Sequence, residues 1–568
     1  MKKLFLLLIS LQVSLQVLAQ NSGFTAEALE KNIQQVVQQA YQASVYITPF
    51  DSIVKKAVGG SFSGVVIDSA GHILSAAHAV KPNNLYEITF PDGRKCKATG
   101  LGRIPSNDAA MLKIIEPGSW PHAEMGWSSS LLVNMPCVSI AYPGSLGAKT
   151  PTIRLGYVAE VKTNEGFIRS TCLMEPGDSG GPVFDLKGRV IGLHSKINLS
   201  LDDNFEIPVD LYRKYWTALT TASSYTELPV PEQFAADPQA LELKPVPEMT
   251  DMSAVLKKLE ARLNQNTLTI KSKIKRVETS INGTLVNLQG LGTENQLKNK
   301  SFLLSKSSMI GEAPLVQLKP GKMVPAKVIS RDENNDLVLL EIDVKLKGGI
   351  ALAVFATDST QLTQLGKFLI SPQPQQTGVI SVLGNTQVAI AKGPNPAFIG
   401  ITTNEKDGKI IISMVQPRSP ANIAALETGD EIVSFNGKKL VKAEDLAREM
   451  AHYRINDTLN LQLNRSGVAY KKQVVLKARR LNERHIAYQF TDGRSERRDG
   501  FNQVLVHDAR LKPAACGGPL FDMEGKFYGI NIARLSRTSS LALPVAVLNR
   551  FVKEAFLHTN LQTMLSSI

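Results

Sequence analysis

Aromatic residues are scarce in this chain, at 6% of 568 residues with three tryptophans, and there are only eight histidines and four cysteines. Cys96, Cys137, Cys172 and Cys516 form no CxxC pair and no metal-ligand spacing, so neither a metal nor an organic cofactor is implied. Past residue 19 no apolar run reaches the length of about 18 residues that a membrane-spanning helix needs, so a soluble mature protein is expected. The 64 basic residues leave a net charge of +13 but form no Lys/Arg block interleaved with aromatics, which argues against nucleic acid as a partner.

What is present begins at the N-terminus. Lys2 and Lys3 precede an apolar run from Leu4, and Val17-Leu18-Ala19 offers small residues for cleavage. Residues 1–19 read as a secretory signal, and a periplasmic or secreted location is expected. Export permits a disulfide; Cys137–Cys172 is the first pair to test, and buried free thiols are the alternative.

The length predicts three or four domains. TAEALEKNIQQVVQQAYQ reads as a helix, and from Ser44 to about Val209 short β-type runs alternate with Gly, Pro and Asp turns. Residues 227–250 carry five prolines and have a linker's composition. Over 251–276, Met252, Val255, Leu256, Leu259 and Leu263 recur at helical spacing, predicting an amphipathic helix. β texture returns past 277, and 500–558 ends in a helix.

One constellation carries chemistry. Gly177-Asp178-Ser179-Gly180-Gly181-Pro182 sets a serine in a sharp glycine turn. Serine is a weak nucleophile unless a base takes its proton. The turn lets the amides of Gly177 and Ser179 point into one space, where they would hold an oxyanion. Upstream stand His78, ending ILSAAH, and Asp108, opening an apolar strand. The order His, Asp, Ser, with spacings of 30 and 71 residues, is one of several known triad orders.

SGVVIDSAGHILSAAHAV, NDAAMLKI, EPGDSGGPVFDLKGRVIGL and FEIPVD together resemble the trypsin-like proteases of the HtrA/Do type, over about residues 45–210. The resemblance implies a chymotrypsin-like double β-barrel with His78 as general base, Asp108 orienting it and Ser179 as nucleophile. Ala76-Ala77 departs from the Thr-Asn pair common there. Leu173 would floor the specificity pocket, and a neutral apolar floor argues against cleavage after Lys or Arg.

The second half repeats the first. NGTLVNLQG resembles SGVVIDSAG, NNDLVLL resembles NDAAML, and PAACGGPLFD matches PGDSGGPVFD. In this copy Cys516 stands for the serine, Ser308 for the histidine, and His507 lies off the triad position, so an inactive protease-like domain is expected. Gly156 precedes Ser179 by 23 residues, whereas Gly378 precedes Cys516 by 138. The segment 394–480 fits within that excess and resembles a PDZ domain through Phe398-Ile399-Gly400-Ile401 and SPANIAALETGDEIVSFNGKKL. In PDZ domains such a loop offers amides to a peptide's C-terminal carboxylate.

The expected architecture is mostly β. Residues 1–19 form the signal, 20–222 a trypsin-like domain, and 223–276 a Pro-rich linker and helix. Residues 277–393 with 481–568 form a degenerate protease-like domain, and 394–480 an inserted PDZ domain. The expected function is endopeptidase action on exported, unfolded or damaged proteins, with polypeptides as substrates. A non-enzymatic scaffold or chaperone is the alternative, and oligomeric state stays open.

Overall fold

The structure is a computed structural model. It describes residues 25–242, 259, 263–289, 297–352, 362–393, 397–440, 442–450, 453, 455–478 and 485–566. The predicted signal and residues 243–258 of the linker and helix lie outside these. The chain divides into two compact units, Ala391–His485 and the remainder.

The larger unit opens on the helix Ala26–Ala40, whose first turn is capped by Thr25 Oγ1 accepting from the Ala28 amide at 3.2 Å. Leu29, Ile33, Val36 and Val37 recur at helical spacing and are buried. Full burial of each contributes about 1.5–3 kcal/mol.

Two six-stranded barrels follow. In the first, Ser44–Asp51, Phe62–Val66, His72–Ala76, Ala109–Ile114, Lys95–Ile104 and Leu85–Thr89 pair in that order, and Leu85–Thr89 pairs back on Ser44–Asp51. In the second, Ile168–Ser170, Asn204–Pro208, Val190–Ile197, Pro182–Phe184, Pro136–Ala141 and Thr152–Glu160 close on themselves.

The repeat has a sheet with the strand order of the first barrel, and a closed barrel. Thr267–Ile274, Val277–Asn287, Ser301–Lys306, Leu337–Ile342 and Lys327–Asp332 follow the order of the first copy. Glu312–Lys319 pairs with Thr267–Ile274 and, through the turn at Pro320-Gly321, with Lys322–Pro325, as Leu85–Thr89 pairs with Ser44–Asp51 and Lys95–Ile104 in the first copy; the ladder is interrupted at Ala326, between Lys322–Pro325 and Lys327–Asp332. Gly321 at φ +77° suits the third position of such a turn, and Pro325 cannot donate to a further ladder. The closed barrel comprises Phe368–Gln373, Gln376–Ile390, Phe501–His507, Ser540–Pro544, Phe527–Arg534 and Pro519–Asp522.

The expected helix over 251–276 is corrected in its second half: Thr267–Ile274 is a strand, hairpinned to Val277–Asn287. Thr267, Thr269, Ile270 and Ile274 are β-branched, and pairing outweighs the helical spacing of the leucines before them.

The two copies share packing. Leu365, Phe368 and Val382 of the repeat lie in the core of the first copy. Asp508 accepts from the Leu155 amide of the first copy (3.0 Å) and from Val382 of the second (2.8 Å).

In the smaller unit, Ile401–Lys406, Lys409–Val415, Glu431–Phe435, Thr458–Arg465 and Val468–Val475 form one sheet in that order. Helix Ala443–Met450 contributes Leu446 and Met450 to its core.

Candidate active site

His78 lies just beyond strand His72–Ala76, and Asp108 just before strand Ala109–Ile114; the two strands pair directly. The Ala77 amide donates to the Asp108 carbonyl at 2.7 Å. Asp108 has φ +60°, a left-handed conformation that Asp tolerates better than most residues. Its carboxylate turns onto the histidine, accepting from the His78 amide (2.9 Å) and facing ring Nδ1 at 3.0 and 2.9 Å. A proton on Nδ1 satisfies the carboxylate and leaves the Nε2 lone pair free. The hydrogen bond to Asp108 holds the His78 pKa above the ordinary imidazole value. The His78 side chain is 49% exposed, and no hydrogen bond among the described residues occupies Nε2.

Ser195 completes this arrangement and was not anticipated from sequence. Its Oγ donates to Asp108 Oδ2 at 2.6 Å, fixing the carboxylate from the second barrel.

The serine turn is pinned on both sides. The Ser63 amide donates to the Ser179 carbonyl (2.9 Å), and the Gly180 amide to the His194 carbonyl (2.7 Å). A Cβ at Gly180, where φ is +77°, would lie 2.1 Å from Ser75 Oγ, so only glycine fits. The Pro176 carbonyl accepts from the Gly144 amide at 2.9 Å, and no cis peptide occurs among the described residues. In a trans peptide the N–H points opposite the C=O. The Gly177 amide therefore faces away from Gly144, and among the described residues neither it nor the Ser179 amide has a protein acceptor. Ser179 Oγ and His78 Nε2 share no hydrogen bond in this structure.

Asp178 points inward. Its carboxylate takes a bidentate pair from Arg154, Nη1 at 2.6 Å and Nη2 at 2.7 Å, with both side chains 0% exposed. It also accepts from the Glu175 amide at 2.9 Å, so one buried ion pair fixes the turn that carries Ser179. The clue in sequence was an aspartate inside a tight glycine turn, which needs a cation when buried. Removing one member of such a pair typically costs about 3–5 kcal/mol. Arg154→Met should lose stability on that scale in denaturant unfolding, and Arg154→Met/Asp178→Asn should recover much of it. A single-variant loss below about 1 kcal/mol would show that the pair does not hold the turn.

Leu173 is 4% exposed, beside the buried Cys172 and Met174. All four cysteines are buried free thiols, Cys137 and Cys172 included.

The repeat preserves the frame and replaces the chemistry. Asp336 has φ +57°, its carbonyl accepts from Ser307 (2.7 Å), and Oδ1 accepts from the Ser308 amide (2.7 Å). These match the bonds around Asp108. From the histidine's position Ser308 Oγ donates to Oδ2 at 2.9 Å, and from two residues earlier Lys306 Nζ sits 2.6 Å from the same oxygen and also donates to the Arg497 and Ile532 carbonyls. Cys516 is fully buried, and burial pushes its thiol pKa up. A protonated, enclosed thiol is a poor nucleophile. Cys516→Ala should therefore leave peptidase rates within about twofold, and iodoacetamide should not alkylate Cys516 in the folded protein. Rapid alkylation accompanied by loss of activity would contradict this. His507 is also enclosed; its ring faces Ser381, and burial lowers its pKa to about 3.

In the smaller unit Gly400 has φ +87°, and a Cβ there would lie 2.1 Å from Ser419 Cβ. The Ile399 and Gly400 carbonyls accept from Ala421 and Gln416, both at 2.9 Å. The amides of Gly400 and Ile401 consequently face the other way. Phe398 ends the preceding strand, and Ile401–Lys406 is the edge of its sheet. Among the described residues no strand pairs with its outer side.

Paired six-stranded barrels with this His–Asp pair mark a trypsin-like peptidase domain, and the smaller unit is a PDZ domain. Residues 62–193 match the family model of the trypsin-like peptidase domain, and residues 397–476 that of the PDZ domain. The chain is 32% identical over 141 residues to a probable periplasmic serine endoprotease DegP-like of Bartonella henselae, covering 24% of this chain and 27% of that protein. It is 30% identical over 168 residues to the putative serine protease HhoA of Synechocystis, covering 28% and 42%. It is 31% identical over 143 residues to the periplasmic serine endoprotease DegP of Salmonella typhimurium, covering 24% and 30%. The chain thus matches less than half the length of these relatives.

Proposed function

We propose that this chain is a serine endopeptidase of exported proteins in the periplasm. The observation that carries the reading is the His78–Asp108 pair, with Nε2 free beside a glycine turn whose amides are unoccupied. Ser179 Oγ attacks the scissile carbonyl as His78 Nε2 takes its proton. The Gly177 and Ser179 amides hold the oxyanion, each worth about 3–4 kcal/mol in such sites. On collapse the imidazolium gives the proton to the leaving amine. Water, activated by the same nitrogen, then frees the acyl group and restores Ser179. Leu173 favours medium apolar side chains before the cut. The PDZ edge Phe398–Ile401 takes peptide C-termini, delivering unfolded or damaged chains.

A serine-directed fluorophosphonate tests the reading. The wild type should be labelled at Ser179 and should digest unfolded casein. A well-folded wild type that is neither labelled nor digests casein would leave the scaffold or chaperone reading, which the inactive repeat and the open PDZ edge favour.

A further inference from the structure

Among the contacts between the two copies, one set bears on the first copy's serine turn. Residues 535–539 follow strand Phe527–Arg534 in the repeat, as 198–203 follow strand Val190–Ile197 in the first copy, and these two equivalent loops meet. Arg537 is 0% exposed. Its guanidinium donates to the Asn198 carbonyl (3.0 Å) and the Ser200 carbonyl (2.6 Å), and reaches Asn204 Oδ1 at 3.4 Å. Asn204 Oδ1 in turn accepts from the Met174 amide, beside Leu173, at 3.3 Å. Next along, Thr538 Oγ1 donates to Glu175 Oε2 at 3.0 Å, while Glu175 Oε1 accepts from the Ser145 amide at 2.9 Å. The Glu175 amide holds Asp178, next to Ser179. A guanidinium and a hydroxyl from the repeat thus bind two segments of the first copy, 173–178 beside the nucleophile and 198–204; the Thr538–Glu175 contact is buried and the Arg537 contacts to the Asn198 and Ser200 carbonyls are part-buried.

We propose that Arg537 and Thr538 are positioning residues of the first copy's acyl-transfer site, so that the catalytically empty repeat acts as a built-in activator of the peptidase. This rests on the peptidase reading above. A buried guanidinium that donates to two carbonyls of one loop fixes that loop's path, because its planar fork sets the position of both carbonyls at once. Thr538 secures the carboxylate at the start of the oxyanion turn. Displacement of reacting groups by about 1 Å costs on the order of a hundredfold in rate. The two contacts should therefore act differently. Thr538 bears on the turn and so on kcat; Arg537 bears on the pocket wall and so also on KM.

The test uses full-length Thr538→Val, Thr538→Ser, Arg537→Ala and Arg537→Lys, measuring fluorophosphonate labelling of Ser179, peptide kcat and KM, and melting temperature. Thr538→Val should slow labelling and lower kcat by about tenfold to a hundredfold with KM nearly constant, and Thr538→Ser should restore both. Arg537→Ala should also raise KM, with Arg537→Lys intermediate. If Arg537→Ala fails to fold, Thr538→Val against Thr538→Ser decides alone. Labelling at the wild-type rate in folded Thr538→Val and Arg537→Lys overturns the proposal and leaves the peptidase reading standing. An unlabelled wild type instead overturns the peptidase reading, and the proposal with it.

Discussion

Ser179→Ala should lower kcat by about a million-fold while leaving the melting temperature close to that of the wild type. The substitution removes one oxygen, and none of the bonds that hold the turn uses it. The Ser63 amide still meets the residue-179 carbonyl, Gly180 still meets His194, and Asp178 still meets Arg154. The oxyanion amides survive as well, so a residual acceleration of about a thousandfold to ten-thousandfold over water is expected. Covalent labelling should vanish altogether, because among the described residues no other serine in a glycine turn lies beside His78. Cys516, the corresponding residue of the repeat, is enclosed and cannot substitute. Measured on purified protein with a fluorogenic peptide, a loss of less than about a hundredfold would place the nucleophile elsewhere.

How much of this site was legible depended on the distance between partners. GDSGGP, the ILSAAH strand and the NDAAML strand each announce themselves locally, since the glycines, the histidine and the aspartate sit where the backbone needs them. The supports do not. Arg154 and Asp178 are 24 residues apart, Ser195 and Asp108 are 87, and Thr538 and Glu175 are 363. Each of those residues, taken alone, is an ordinary polar side chain on or beside a strand. The hairpin at 267–287 was hidden for another reason. Lys275 and Arg276 both take left-handed φ, +48° and +68°, as a two-residue hairpin turn requires. That turn usually advertises itself as Asn-Gly, and Lys-Arg gives no such signal, so the leucine spacing before it read on as helix.

Asp108→Asn should cost about ten-thousand-fold in kcat, nearly as serious as loss of the nucleophile, although it alters one atom type. The carboxylate accepts three hydrogen bonds, from the His78 amide, the His78 ring and Ser195 Oγ. An amide at this position can present its NH2 to the ring, which then carries its proton on Nε2 and cannot act as base. The pH profile separates this from mere misfolding. In the wild type, Asp108 raises the His78 pKa, so neutral imidazole is depleted as pH falls through a value above the ordinary 6.5. The acidic limb of kcat/KM should therefore lie above about 6.5 in the wild type. Without the carboxylate the charged imidazole loses its stabilising partner, and the limb should move to lower pH as the plateau falls. Ser195→Ala, which removes only the third hydrogen bond, should leave the limb in place and reduce kcat far less. A profile for Asp108→Asn with an unmoved acidic limb and near-normal kcat would mean that His78 is not the base.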